Sequence, residues 1–232
     1  MTAELPSSSA QSPSADLATA DLATAEFVVR TIAETCVENE KYFCDLDSVV
    51  GDGDFGYSLA RGFEQVLEHW QDFDRTDTST FVLKIATAIT SRIGGTSGPI
   101  WGTGFLRVGM ALKANPAITA TDVVVALRSG VEGIKKRGNS DVGDKTLIDA
   151  LVPAINAFEQ ATDAGAEPTE ALRALATAAR TAAEGTSEMQ AKRGRASYSG
   201  ERSIGSPDAG AVAVAVLAER LADTWSSRPA SV

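Results

Sequence analysis

The chain has 232 residues, a formal net charge of −10 and a hydrophobic fraction of 44%. This length permits one large domain or two small ones, and the apolar content is ample for a core. The negative charge opposes binding to a polyanion, so we expect no nucleic-acid partner. No apolar run approaches the roughly twenty residues of a membrane span, so we expect no membrane partner.

Alanine-rich runs favour helix through most of the chain, and no series of alternating strands interrupts them. We expect an all-α fold with one domain over residues 21–225, between a Ser- and Pro-rich disordered tail at 1–20 and a frayed tail at 226–232. Eight helices are predicted, over residues 21–41, 57–70, 78–93, a stretch ending near 114, 121–137, 146–161, 168–184 or 168–192, and 210–225. Thr121 is the predicted N-cap of the helix that stops at Gly138, and the helix over 78–93 stops at Gly94 and Gly95.

Cysteine and histidine are rare, with Cys36, Cys44 and His69 as the full set. Three such residues are too few for a structural zinc site, and the absence of a signal peptide predicts reduced thiols in a cytoplasmic protein. His69 falls near the end of a predicted helix, a position typical of packing or surface exposure rather than catalysis.

The most unusual segment is DLDSVVGDGDFGYS, residues 45–58, in which four aspartates lie within ten residues among three glycines. Repulsion between the carboxylates predicts a divalent cation, and oxygen ligands suit magnesium that arrives with nucleotide phosphates. The alternative is an exposed acidic turn that binds nothing. An EF-hand does not fit, because a loop starting at Asp52 would have Gly56 at position 5 and Phe63 at position 12.

A second glycine-rich segment, GGTSGPIWGTGFLRVGMAL, spans residues 94–112. Its glycines allow backbone amides to approach a phosphate, and its hydroxyls can donate hydrogen bonds. It lacks the Gly-Lys-Ser/Thr of a Walker motif, and the alternative is a glycine-mediated contact between helices. The start of the helix after the acidic segment is a further predicted phosphate site.

Basic residues cluster as KKR at 135–137 and KRGR at 192–195. On an acidic chain, such clusters predict either an anion site for a small phosphate-bearing ligand or a solvated helix end. Lys145 precedes a predicted helix, where it could reach a phosphate or complement Asp144 and Asp149.

Four segments, LDxxxGDGDxG, GGTSGPxxGTxFLR, GDKTxIDALxPA and GRASYxGERSIGxxDxGA, occur in an order and at a spacing that resemble the nucleotide-binding L subunit (DhaL) of dihydroxyacetone kinases. The resemblance covers residues from about 20 to 225 and makes 21–225 a DhaL-like nucleotide-binding domain. It implies eight antiparallel helices in an up-and-down barrel, with the nucleotide held by loops at one end.

The resemblance also implies the site residues by motif position. Asp47, Asp52 and Asp54 would hold two magnesium ions against the phosphates, whereas Asp45 falls outside the pattern. The implied nucleotide contacts are Phe55, Gly56, Tyr57, Ser58, Thr96, Ser97, Gly138, Leu147, Arg195, Pro207, Asp208 and Ala209. The chain departs from the family in two places: Phe55 stands where many members have His, and SPDAG at 206–210 stands where His-x-Asp-Pro-Gly is usual.

Proteins of this family act with a separate K subunit, which binds the ketose covalently through a histidine. We therefore expect half of a kinase of glycerol metabolism that supplies ADP or ATP and magnesium, with no catalytic residue of its own. In one version ADP stays bound and is rephosphorylated by a phosphohistidine protein (DhaM-like) of the phosphoenolpyruvate phosphotransferase system, which the lack of a K domain favours. In the other version ATP is consumed, and the ketose is dihydroxyacetone or a four-carbon sugar such as erythrulose. A non-catalytic nucleotide-binding regulator is the rival class.

Overall fold

The computed structural model describes residues 21–112 and 118–229, and all regular elements in these ranges are helical. The all-α prediction is therefore confirmed. The predicted tail at 1–20 and the end of the predicted tail at 226–232 lie outside the described residues. The α-helices are α1 Leu22–Glu38, α2 Glu40–Asp47, α3 Phe55–Glu68, α4 Thr78–Arg92, α5 Ser97–Leu112, α6 Ala120–Gly138, α7 Leu147–Asp163, α8 Pro168–Gly185 and α9 Ala209–Thr224. Short 3₁₀ helices span Trp70–Asp72, Thr186–Glu188, Arg195–Ser203 and Trp225–Ser227.

The count of eight helices was wrong, because the described ranges hold nine α-helices. The extra one arises at Asn39, where the predicted first helix divides. The backbone N–H of Asn39 donates to the Thr35 carbonyl at 3.1 Å, and its side-chain amide donates to the same oxygen at 2.8 Å. Asparagine competes for backbone groups in this way and favours helix ends. As a result α2 is a separate helix that ends at Asp47, inside the acidic segment.

Several predicted helix ends were also wrong. The N-cap of α6 is Thr119, not Thr121, because Thr119 and Asp122 form a capping box. That helix includes Gly138 and ends when Asn139 adopts the left-handed conformation, with φ of 46°. The third predicted helix ends at Arg92, two residues before Gly94. Of the two ends predicted for α8, 184 and 192, the shorter one agrees within one residue with the observed end at Gly185.

Contacts between helices follow the chain order. Successive helices from α3 to α9 contact one another, and α1 contacts both α3 and α9. The contact between α1 and α9 joins the first helix to the last, as an up-and-down barrel requires. The barrel itself stays a prediction.

The core has two main parts of different composition. Around α1, α3 and α4, its buried side chains are large, among them Phe63, Phe81 and Ile85, each 0% exposed. Around α7, α8 and α9, they are mainly alanines, among them Ala179 and Ala183, each 0% exposed. Small side chains let helices approach closely, so α7, α8 and α9 pack backbone near backbone.

Among the described helices, none is both long enough and apolar enough to cross a membrane.

Candidate functional site

A cavity of about 540 Å³ lies at one end of the helices. Alternate helices end and begin around it. Asp47 and Gly138, the last residues of α2 and α6, line it together with Phe55, Ser97, Leu147 and Ala209, the first residues of α3, α5, α7 and α9. The positive ends of four helix dipoles therefore meet at one cavity, an arrangement that favours an anionic ligand.

The start of α3 offers fewer amides to a ligand than its sequence suggested. The Phe55 N–H donates to Asp47 Oδ2 at 3.4 Å, and the Tyr57 N–H donates to Cys44 Sγ at 3.2 Å. The start of α5 is better suited, because the first amides of a helix have no carbonyl partner one turn earlier. Thr96 and Ser97 line the cavity there.

The glycines before and inside α5 fall into two groups, one at the cavity and one at a contact between helices. Gly94 and Gly95 line the cavity, and Gly95 has a φ of +63° that favours glycine. Gly98 and Gly102 instead pack against α4 and its end. A Cβ at Gly98 would lie 2.2 Å from the Ile93 carbonyl oxygen, and one at Gly102 would lie 2.0 Å from Thr90 Oγ1.

Three carboxylates converge on the acidic side of the cavity. Each of Asp47, Asp52 and Asp54 offers an oxygen within 4.8 Å of the others. Asp47 is held by the loop that follows it, since its Oδ2 accepts from the Gly53 N–H at 2.9 Å. A Cβ at Gly51 would lie 2.2 Å from Asp47 Oδ1, so only glycine leaves room for this carboxylate.

Asp54 occupies the N-cap position of α3, yet its side chain makes no capping hydrogen bond. Its carboxylate and that of Asp52 instead pair with Arg195, whose Nη1 lies 3.0 Å from Asp54 Oδ1. The carboxylate oxygens thus gather around a positive charge, and hard oxygen ligands at this spacing fit magnesium. Asp45 lies apart and pairs with Lys41 at 2.6 Å.

Basic side chains line the side of the cavity that faces the three aspartates. Arg137, Arg193 and Arg195 line the cavity, which draws on both basic clusters of the sequence. Arg193 is anchored, because its Nε donates to Asp144 Oδ2 at 3.0 Å. Lys135 lies away from the cavity lining and pairs with Asp141 at 2.8 Å.

Lys145 differs from both sequence-based hypotheses. Its ammonium pairs with neither Asp144 nor Asp149, and it donates to the backbone carbonyls of Met189, Ser203 and Ser206 instead. Burial lowers the pKa of Lys145, which is 2% exposed.

A model of the DAK2 domain matches residues 49–223. The chain belongs to the DAK2 domain family. It is 36% identical over 182 residues to the ADP-binding subunit DhaL of the PEP-dependent dihydroxyacetone kinase of Escherichia coli K12, covering 78% of this chain and 87% of the relative. The predicted resemblance to DhaL is thereby confirmed.

Two larger proteins contain a similar region. The chain is 35% identical over 198 residues to the L-erythrulose 1-kinase of Mycolicibacterium smegmatis, covering 84% of this chain and 34% of the relative. The crystal structure of the dihydroxyacetone kinase from C. freundii in complex with AMP-PNP and Mg²⁺ matches with a TM-score of 0.71 and 27% identity, covering 97% of this chain and 38% of that chain. The DAK2 domain described here thus spans little more than a third of either protein.

Most of the residues expected at the nucleotide lie around the cavity of this DAK2 domain. Besides the three aspartates, the lining includes Phe55, Ser58, Thr96, Ser97, Gly138, Leu147, Arg195, Asp208 and Ala209. Gly56, Tyr57 and Pro207 are not in the lining. Gly56 packs against α2, where a Cβ would lie 2.1 Å from the Glu40 carbonyl oxygen, and Tyr57 is 55% exposed beneath Arg61.

Phe55 faces the core as well as the cavity. Its ring centroid lies 6.1 Å from that of Phe43, a residue that is 0% exposed. The aromatic contact stabilises the start of α3, so this position joins the acidic segment to the core.

Sequence reasoning missed the apolar wall of the cavity. It consists of Leu46, Val50, Pro99, Ile100, Trp101 and Ile134. Trp101 was the available signal, because a large aromatic residue within a glycine-rich segment is typical of a surface that packs against a flat ligand.

Asp208 caps α9, with Oδ2 accepting from the Ala211 N–H at 2.8 Å. Loss of solvation raises the pKa of Asp208 to about 7, and the Asp149 charge acts in the same direction. The Ala211 N–H and Lys145 oppose that rise. The carboxyl group at this edge of the cavity therefore changes charge near neutral pH.

Proposed function

We propose that this chain is the nucleotide- and magnesium-binding subunit of a dihydroxyacetone kinase and delivers a phosphoryl group to a ketose held on a separate K subunit. One observation carries the proposal: four helix N-termini and three clustered aspartates surround the same cavity. The first feature suits phosphates, and the second suits the divalent cation that accompanies them.

Asp47, Asp52 and Asp54 are the proposed ligands of two magnesium ions. When bound, magnesium neutralises phosphate charge and stabilises the charge that develops on the transferred group. The chain's own part is to position the phosphates: Thr96 and Ser97 at the start of α5 bind them, and Arg195 approaches from the opposite side. Phosphoryl transfer depends mainly on such positioning and on electrostatic stabilisation, and it needs no covalent intermediate on this chain.

The remaining predicted contacts fit the base and sugar of a nucleotide. Gly138 and Leu147 lie on the lining with the apolar wall, where a flat base would bury its faces. Phe55, Ser58, Asp208 and Ala209 belong to the proposed site because they line the cavity. Gly56, Tyr57 and Pro207 are proposed as neighbours that shape the backbone of the two loops.

The ketose is proposed to bind on the K subunit rather than here. The only histidine in the sequence, His69, lines a different cavity of about 250 Å³ with Lys84 and Arg92. No histidine of the described residues therefore reaches the phosphate-binding cavity. Free Cys36 and Cys44 support the accompanying proposal of a cytoplasmic location.

For the phosphate donor, we propose that ADP remains bound and is rephosphorylated by a phosphohistidine protein of the phosphoenolpyruvate phosphotransferase system. The name of the E. coli relative, a PEP-dependent kinase subunit that binds ADP, supports this version. A second candidate is an ATP-dependent kinase subunit acting on a four-carbon ketose. It is supported by the similar identity of 35% to the L-erythrulose 1-kinase.

The test is calorimetric titration with ADP and with ATP, each with and without magnesium. Very tight, magnesium-dependent retention of ADP is expected, and comparable, exchangeable binding of both nucleotides would favour the ATP-dependent candidate. Failure of both nucleotides to bind would contradict the proposal. Phosphoryl transfer to dihydroxyacetone and to erythrulose, measured after addition of a K subunit, separates a kinase subunit from a non-catalytic regulator.

The metal assignment is tested by Asp52→Asn, which should weaken magnesium-dependent nucleotide binding by about a hundredfold or more while the helical circular dichroism signal is kept. Asp45→Asn is the matched control, because Asp45 lies in the same acidic segment and its carboxylate pairs with the exposed Lys41. Equal affinity for wild type and Asp52→Asn would refute the assignment.

A further inference from the structure

Lys145 lies in a costly environment. Lys145 is 2% exposed, and its backbone adopts a left-handed φ of 60°, which is unfavourable for a residue other than glycine. No carboxylate lies within ion-pair distance of its Nζ among the described residues. An apolar side chain of similar length would fill the same space without burying a charge. The hydrogen bonds that the ammonium group donates therefore indicate what Lys145 contributes.

Its acceptors all belong to one segment between α8 and α9. Nζ donates to the carbonyls of Met189 at 3.1 Å, Ser206 at 2.7 Å and Ser203. An ammonium group has three N–H donors, so none is left for a phosphate, although Lys145 lies on the cavity lining. Any effect of the Lys145 ammonium group on a bound ligand must therefore pass through this segment.

We call residues 189–206 the Arg195 segment. It contains no α-helix, and its one 3₁₀ helix is interrupted at Gly200, where φ is 57° and ψ is −131°. Its buried residues are small, namely Ala191, Ser203 and Ser206, so little apolar burial holds it in place. Hydrogen bonds from elsewhere must supply most of its shape.

Lys145 and the residue before it supply most of these hydrogen bonds, and Ser199 adds one to the Val50 carbonyl at 3.2 Å. The Asp144 carbonyl accepts from the Lys192 N–H at 3.1 Å, and the Asp144 carboxylate binds the side chains of Lys192 and Arg193. Lys145 binds the carbonyls at both ends of the Arg195 segment. Two adjacent residues between α6 and α7 thus determine where Arg195 emerges, opposite Asp52 and Asp54.

We propose that Lys145 is a positioning residue for nucleotide binding: it fixes the Arg195 segment in the conformation that places Arg195 at the phosphate end of the cavity. The inference rests on the proposed function. The two can fail separately, because wild-type nucleotide binding tests the function and the variants below test the positioning.

Lys145→Met is the principal variant, since methionine matches the length of the buried stem and lacks the donors. Hydrogen–deuterium exchange of the nucleotide-free protein should rise in residues 189–206 and stay unchanged in α1, α3 and α4. Affinity for magnesium–ADP should fall about tenfold or more, because three hydrogen bonds from a charged group are lost.

Two controls separate positioning from charge and from stability. Lys84→Met removes the same charge from an exposed side chain on α4, outside the Arg195 segment and the cavity lining, and should leave affinity within about twofold. Ile85→Ala destabilises the core remote from the cavity, where Ile85 is 0% exposed, and should lower stability with little change in affinity. A loss of affinity with Ile85→Ala equal to that with Lys145→Met would overturn the proposal.

A double-mutant cycle tests the route through Arg195. If Lys145 acts by placing Arg195, Lys145→Met should have little further effect on nucleotide affinity in an Arg195→Gln background. Additive losses would overturn the proposal, and so would unchanged exchange in residues 189–206. If Lys145→Met does not fold, Lys145→Gln, which keeps two N–H donors, should give the same pattern with a smaller loss of about threefold.

Discussion

The two main parts of the core both pack helices against one another, but they do so with side chains of different size. Below the acidic segment, α1, α3 and α4 interdigitate through rings and branched chains such as Phe63, Phe81 and Ile85. Below the Arg195 segment, α7, α8 and α9 meet through alanines such as Ala179 and Ala183. The cavity lies above both, so its acidic side rests on a bulky core and its basic side on an alanine core.

This difference determines which kind of substitution each part tolerates least. A core of large side chains loses stability when one is truncated, because the neighbours collapse only partly into the space. A core of alanines has little to lose by truncation, but added atoms force the helix backbones apart. The following predictions test this contrast, from the largest expected effect to the smallest.

Phe63→Ala should cost about 3–5 kcal/mol of unfolding free energy, because Phe63 is 0% exposed in the bulky core. Denaturant unfolding followed by circular dichroism measures this cost. Phe63→Leu is the control, since it keeps most of the volume and should cost under about 1.5 kcal/mol. A cost below about 1 kcal/mol for the alanine variant would mean that the bulky core can collapse around the gap.

Ala179→Leu should cost about 1–3 kcal/mol, because Ala179 is 0% exposed where α8 meets the alanine core. The same denaturant unfolding applies. Thr177→Leu, on the exposed face of the same helix, is the matched control and should change stability by less than about 0.5 kcal/mol. Equal stability of the two leucine variants would show that the alanine core has spare room.

The smallest effect concerns Asp208, at the junction of the alanine core and the cavity. Its raised pKa of about 7 means that the folded chain holds a proton there that the unfolded chain releases near pH 4. Folding therefore binds protons between these values, and this contribution to stability falls as pH rises from about 4 to 7. Solvent access to Asp208 partly offsets this rise in pKa. We therefore expect the free energy of unfolding to fall by about 1 kcal/mol between pH 5 and pH 8.

Asp208→Asn should remove this pH dependence while it keeps the cap of α9, since asparagine caps helices well. Melting temperatures of both proteins at pH 5 and pH 8 provide the measurement. Asp77→Asn is the control: Asp77 caps α4 in the same way, but hydrogen bonds from Thr80 lower the pKa of Asp77. Parallel pH profiles for wild type and Asp208→Asn would contradict the assignment.

Features with local causes were predicted well from the sequence. Helix propensity and capping act over a few residues, so most helices of the alanine-rich segments were predicted with small errors at their ends. The clustering of Asp47, Asp52 and Asp54 is also local, since all three lie within eight residues. The division of the first helix at Asn39 was missed because one polar residue decides it.

Features that depend on distant partners were not accessible in the same way. The burial of Lys145 depends on carbonyls 44 to 61 residues away, and propensity alone places lysine at the surface. The apolar wall joins Trp101 and Ile134 from different helices, and each would fit an ordinary core position. Arg195 was identified through the family resemblance, whereas its pairing with Asp52 depends on the fold.

Because helix ends alternate around the cavity, some turns between helices lie at the opposite end of the molecule. The turn between α7 and α8 is one example: it lies about 25 Å from the cavity, the length of the 17-residue α7. Gly165 in that turn has a φ of +77° and no atom within 4 Å of a Cβ position. A fluorescent label, an affinity tag or new chain termini could be introduced there, so the protein can be immobilised or circularly permuted with the cavity left open to solvent.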